Sequence, residues 1–207
     1  CRLPYNLIDG NGETLIKNSH LLSIKDLDIS EQIPNLIEAG IVSFKIEGRL
    51  KDVVYVKNNV SYLRQKLDNY LEGAGSDKYR KASSGTCTYT FDSSLNRTFN
   101  RGYTDYFVNE RHSSIGSWES PKSKGQYIGK LIRTVGNAYE IENGELLNNG
   151  DGLCFINENN EADGIYVNKA ENGKIYPNVL KEVKDGTFIY RNNDAAFIKI
   201  VEREDSA

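Results

Sequence analysis

A ladder of turn signals runs through the C-terminal half of the chain: Gly136-Asn137, Gly150-Asp151-Gly152, Asn172-Gly173, Asp185-Gly186 and Asn192-Asn193-Asp194. Glycine enters left-handed backbone without penalty, and asparagine or aspartate tolerates it, so such groups close tight reversals between strands. Between them lie short runs rich in β-branched and aromatic residues, at 126–134, 138–141, 152–156, 164–169, 187–190 and 196–201, with a further run at 86–91. A stretch broken this often cannot hold long helices. The spacing predicts a small, mainly antiparallel β-barrel.

The N-terminal part has a different grammar. Residues 31–39 place Ile33, Leu36 and Ile37 on one helical face and stop at Gly40. Residues 41–47 alternate as a strand does. Asp52 is an N-cap for a helix to about Leu71, with Val53, Val56, Val60, Leu63, Leu67 and Leu71 at three- and four-residue spacing. Helix, strand and helix make a piece of an α/β unit that is too small to close a sheet. The two grammars meet at the small, polar stretch GAGSDK, residues 73–78. The expected fold is therefore an α+β chain. Residues 1–76 are a helix–strand–helix remnant of an α/β (TIM-like) barrel, and residues 77–207 are a β-rich, barrel-like domain.

Composition narrows the function classes. Of the 207 residues, 38% are hydrophobic and 27% charged, which fits a globular chain without a membrane span. The net charge of -3, from 26 Lys and Arg against 29 Asp and Glu, excludes a globally basic protein. A nucleic acid would have to meet a local basic patch. Cys1, Cys87 and Cys154 are widely spaced and odd in number, which argues against a disulfide framework and for a reducing cytoplasm. Cys87 and Cys154 lie in strand-like runs and read as buried structural thiols. The chain starts at Cys1 and contains no Met, as expected of a piece of a longer protein.

Charged side chains stand where the residue 41–47 strand meets the helix. Val42, Phe44 and Ile46 share one face; Ser43, Lys45 and Glu47 share the other. In a closed α/β barrel the second face is the lumen, normally apolar, and the C-terminal end of a strand is where such barrels keep their chemistry. Lys45, Glu47 and Arg49, around Gly48, are then candidate catalytic residues. The competing reading is an edge strand whose solvated face carries a surface Lys–Glu pair of little energetic weight.

A second feature is basic. Residues 121–133 hold Lys122, Lys124, Lys130 and Arg133 with no acid, interleaved with Tyr127, and follow Arg101, Tyr103 and Trp118. Such a segment can track phosphates and stack a base. It can equally be a solvated loop leading into a strand. His20 and His112 read as surface loop histidines, and no H-E-x-x-H or nucleophile–base arrangement is present.

The segments CRLPY, LLSIKDL, IPNLIEAGIVSFKIEGRLK and YLRQKL resemble the end of the barrel in the peptidase U-32 family. Downstream, FNRGYTDYF, SPKSKGQYIGKL, NNGDGLCF and IYRNNDAAF resemble the segments that follow in its longer, collagenase-like members. The resemblance implies an α/β barrel followed by an elongation-factor-like β-barrel domain. It implies two activities. One is oxygen-independent hydroxylation of a pyrimidine in ribosomal or transfer RNA, associated with prephenate and, in several branches, an iron–sulfur cluster. The other is the collagenase-like proteolysis of the family name. On the first, Glu47 acts as a general base or orients substrate, while Lys45 and Arg49 hold a carboxylate. Arg101, Lys122, Lys124 and Lys130 then contact RNA. Cys1 matches the second cysteine of the family's C-x-x-x-C-R cluster element. The chain departs from other branches at Asp28, where they carry a further cysteine. By itself the chain is expected to be a non-catalytic binding module that holds no cluster and self-associates through the exposed side of the helix that starts at Val53.

Overall fold

The computed structural model describes residues 2–73, 77–111, 113–159 and 161–206. The expected linker lies partly outside them, as do Cys1 and His112.

The turn ladder folds as its chemistry requires. Strands β5 (Gln126–Val135), β6 (Ala138–Ile141), β7 (Gly152–Ile156), β8 (Ala162–Glu171), β9 (Lys174–Pro177) and β10 (Phe188–Asn193) form a closed barrel in the order β10-β5-β6-β9-β8-β7. Every pairing is antiparallel. Closure leaves no unpaired edge. The β8–β9 hairpin turns on Asn172 and Gly173, with φ of 51° and 74°, the two left-handed residues that a tight two-residue reversal needs. Alternate residues fill the interior, including Ile128, Leu131, Tyr139, Ile141, Leu153, Phe155, Ile165, Val167, Ile175 and Ile189. The one polar tip among them is satisfied, since Tyr139 Oη donates to the Lys181 carbonyl at 2.7 Å.

Three expected strands are corrected. The run at 196–201 is helix α3 (Ala195–Val201). Asp194 caps it by accepting from Phe197 N, and Phe197 and Val201, four residues apart, are both buried. A short apolar run fits either period, and the cap and burial select the helical one. Residues 86–91 carry no strand, and Thr90 N instead reaches the Ser206 carbonyl at 3.1 Å. Residues 41–47 also carry no strand, because none of the described strands pairs with them. Val42 there is 96% exposed.

Before the barrel, β1 (Tyr5–Ile8) and β2 (Thr14–Ser19) form a hairpin that the sequence reading missed. A 3₁₀ turn at Ser30–Gln32 leads into α1 (Ile33–Glu38), which ends before Gly40 at φ 94°. Helix α2 spans Val53–Glu72, and Asp52 Oδ1 accepts from Tyr55 N at 2.7 Å, as expected of its cap. Its buried face is not the apolar stripe. Val53, Val56 and Val60 are exposed, whereas Val54, Asn58 and Ser61 are buried. The polar side is covered because its groups find partners. Asn58 donates to the Ser94 carbonyl at 2.8 Å and accepts from Ser94 N at 2.9 Å. Lys57 Nζ donates to the Val201 and Arg203 carbonyls and to Ser206 Oγ. Val54 joins Phe91, Phe197 and Val201 in a second small core.

Two segments that carried the family resemblance turn out to hold the barrel to α3. Arg191, from IYRNND, is 7% exposed and pairs with Asp151 at 3.3 Å and Asp194 at 3.0 Å. Asp151, from NNGD, is fully buried and also accepts from Asn148 N and Ala195 N. Arg97 reaches Asp194 at 2.7 Å from outside the barrel. Buried charges persist where each finds a partner. The coarse expectation of an α+β chain with a small antiparallel barrel therefore holds.

Candidate nucleic-acid interface

Strand β10 alternates strictly. Ile189 and Arg191 are buried, so Phe188 and Tyr190 take the outer face of the barrel. In register, Tyr190 stands opposite Tyr127 of β5 and Phe188 opposite Lys130. The Tyr127 ring centroid lies 5.4 Å from that of Tyr190 and 5.9 Å from that of Phe188. Lys130 Nζ sits 5.2 Å from the Phe188 ring, and Lys124 Nζ 4.7 Å from the Tyr190 ring. Three aromatic rings and two ammonium groups thus share one patch.

On its other side Tyr190 faces Cys154 of β7. Here an open cleft of about 220 Å³ is lined by Ser117, Ser120, Lys122, Lys124, Asn192 and Tyr190, among others. Glu119 pairs with Lys124 at 3.4 Å. Burial works against the charged form of Lys124, but the Glu119 carboxylate and Tyr190 outweigh it and hold the ammonium above its ordinary value. Burial pushes the Cys154 thiol up to about 11, with the Lys124 charge opposing. Its Sγ lies 3.3 Å from the Lys124 carbonyl. The sequence-predicted Lys122 and Lys124 are brought to one cleft, and Lys130 to the adjoining aromatic face. Phe188 and Tyr190 escaped the sequence reading. Period-two alternation puts them on one face, but only the β5–β10 pairing sets Tyr127 against them.

Arg101 is held elsewhere. Its guanidinium forks onto Asp26, at 2.7 Å from Nη2 and 3.3 Å from Nε, and its backbone N–H donates to the same carboxylate. This pairing ties β3 (Asp26–Leu27) to β4 (Tyr103–Thr104), which run parallel. Gly102, at φ 81°, turns the chain from Arg101 into β4, and buried Asn100 accepts from Gly102 N. Lys45 and Glu47 pair with each other at 3.4 Å, their side chains 86% and 68% exposed. Arg49 is exposed as well. Beside this segment, Lys51 Nζ lies 3.0 Å from the Phe99 ring centroid, and burial lowers its pKa against the pull of Asp26. Tyr55 Oη reaches the Glu47 carbonyl at 3.4 Å.

Cluster ligands are several thiolates held together; of the described cysteines, Cys87 is exposed and Cys154 lies half-buried on β7. Among the described residues no group of three or more His, Cys, Asp and Glu is placed to hold a metal ion. No described helix is long and apolar enough to cross a membrane. His20 is not a plain surface histidine, because its Nδ1 is buried without a hydrogen-bond partner.

An exposed charged segment precedes helix α2, and the closed barrel carries three aromatic rings with two lysines on one outer patch. The chain belongs to peptidase family U32, whose sequence profile matches residues 1–117. It is 41% identical over 87% of its length to the 23S rRNA 5-hydroxycytidine C2501 synthase of Escherichia coli, covering 28% of that protein. It is 31% identical over 83% of its length to a collagenase of Porphyromonas gingivalis, covering 46% of it. Over 34% of its length it is 40% identical to the tRNA hydroxylation protein P1 of Bacillus subtilis, covering 18% of it. The chain spans less than half the length of these relatives. No solved structure matches it.

Proposed function

We propose that this chain serves an oxygen-independent hydroxylase of RNA pyrimidines, acting on ribosomal or transfer RNA. Residues 77–207 bind the RNA, and residues 1–76 contribute the end of an α/β barrel. The observation that carries this reading is the meeting of Lys122 and Lys124 with Tyr190 in one cleft, beside Tyr127 and Lys130. Ammonium groups offer phosphate contacts, and aromatic faces offer stacking to unpaired bases. Two relatives named for RNA hydroxylation lend it support.

In this reading Lys45 and Arg49 hold the carboxylates of prephenate, with Glu47 as a general base or orienting group. All three reach solvent on one segment, where a barrel lumen would enclose them. Cys1 is the proposed cluster ligand. The protein works in the cytoplasm, and the exposed Val53, Val56 and Val60 favour self-association in the chain taken alone.

The test is mass spectrometry of ribosomal and transfer RNA from cells lacking the protein. One pyrimidine should lose its hydroxyl and regain it when the wild-type gene is restored. Fully modified RNA, together with gelatin hydrolysis by the purified protein that Glu47→Ala abolishes, would establish the collagenase reading instead. Relatives named collagenase keep that reading in view.

A further inference from the structure

We infer that the outer face of β5 and β10 is a stacking platform for unpaired RNA, with Tyr127, Tyr190 and Phe188 each offering a ring to a base. The inference rests on the RNA reading above and adds which strand form is recognised and by which side chains. The rings are left open to solvent, with Tyr127 48% and Phe188 52% exposed. They do not lie flat on one another. Tyr127 is tilted 57° from Tyr190 and 52° from Phe188, so their faces are not used up by mutual stacking. Sequence-tolerant single-strand binding is built this way, from aromatic faces along a basic track.

Charge places the strand on the platform. Lys124 sets its ammonium over one face of Tyr190 and Lys130 over one face of Phe188, and Lys122 continues the track into the cleft next to Tyr190. Glu142 Oε2 accepts from Lys130 N at 2.9 Å, and desolvation first, then the Glu142 carboxylate and Tyr190, raise the Tyr127 phenol pKa. A phosphate over Tyr127 would meet that carboxylate, whereas a neutral base would not. Bases therefore go over the rings and phosphates toward the lysines. A duplex buries its base faces in its own stack and can use only the lysines. A proline-rich peptide also docks on aromatic strips, but it has no use for the flanking ammonium groups.

The experiment measures fluorescence anisotropy of the chain with labelled oligoadenylate, with the same strand paired to oligouridylate, and with a collagen-like Gly-Pro-Pro peptide. Variants are Tyr127→Ala, Phe188→Ala, the aromatic swaps Tyr127→Phe and Phe188→Tyr, and Lys122→Ala with Lys124→Ala. The rings are surface groups, and a melting curve for each variant confirms folding. Each ring-to-alanine change should weaken oligoadenylate binding by at least about fivefold, the lower end for one stacked base, and leave the salt slope unchanged. The aromatic swaps should restore binding. The lysine pair should lower the salt slope, and the duplex should ignore the rings. If the lysine pair loses RNA while the alanine ring variants bind as the wild type does, the platform is wrong and the RNA reading survives. If the wild-type chain retains neither RNA form, both fall. Equal loss of duplex binding in the ring variants, or ring-dependent binding of the peptide in place of RNA, also overturns the platform.

Discussion

Replacing Asp194 by alanine should unfold the junction between barrel and C-terminal helix. Asp194 is 2% exposed. Its Oδ1 accepts from Phe197 N at 3.0 Å, capping α3. Its Oδ2 takes Arg97 at 2.7 Å and Arg191 at 3.0 Å. Loss of the cap costs about 1 kcal/mol. Breaking a buried pair costs about 3–5 kcal/mol, because the remaining charge is stranded. The lower figure applies, since Asp151 still holds Arg191 and Arg97 is 28% exposed. The total is about 4 kcal/mol, and for a chain of this size each kcal/mol moves Tm by about 2–4 °C, so the expected fall is about 8–16 °C. Asp194→Asn keeps a good capping side chain and loses the charge, so it should sit about 3 kcal/mol below wild type. Urea unfolding at low and high salt is the assay. The loss should be largely indifferent to salt, as a desolvated pair is. An Asp194→Ala loss below about 1 kcal/mol would refute the reasoning, because the network would then be a passenger. So would an asparagine variant as stable as wild type.

The remaining predictions concern single contacts. Lys57→Met removes three hydrogen bonds from α2 to the end of the chain. It should cost about 1.5–3 kcal/mol, the range for bonds to a charged donor, and speed amide exchange in α3; unchanged exchange there would show that α3 holds without α2. At pH 8, iodoacetamide should label exposed Cys87 well before Cys154. Because the Cys154 thiol is raised from 9.0 to about 11, its contribution to stability is complete below pH 9 and fades as pH rises toward 11. A stability curve flat across that window in wild type, but not in Cys154→Ser, would contradict this.

Much of the barrel was legible because its cause is local. Asn172-Gly173 favours a tight reversal through its own backbone freedom, and the run Gly152–Ile156 coincides with β7. The Asp52 cap and the Gly40 stop were readable for the same reason. The misreadings share a different cause. Residues 41–47 have the pattern of a strand but find no strand partner among the described residues, and a pattern without a ladder forms no sheet. The Val53–Val56–Val60 stripe predicts a buried face, yet burial went to Asn58 and Asn59, whose partners Ser94 and Thr98 lie far along the chain.

The candidate site divides along the same line. Lys122, Lys124, Tyr127 and Lys130 were visible as a basic stretch, because residue type and order carry charge and aromaticity directly. Phe188 and Tyr190 were not visible, since a ring becomes part of a surface only when strand pairing sets it beside another ring. Arg101 looked like a free anion contact until Asp26, distant in sequence, was brought against it. By itself the sequence determined which groups could turn, cap, bind charge or stack. Only the tertiary structure decided which of those groups meet, because pairing register and burial depend on residues far apart in the chain.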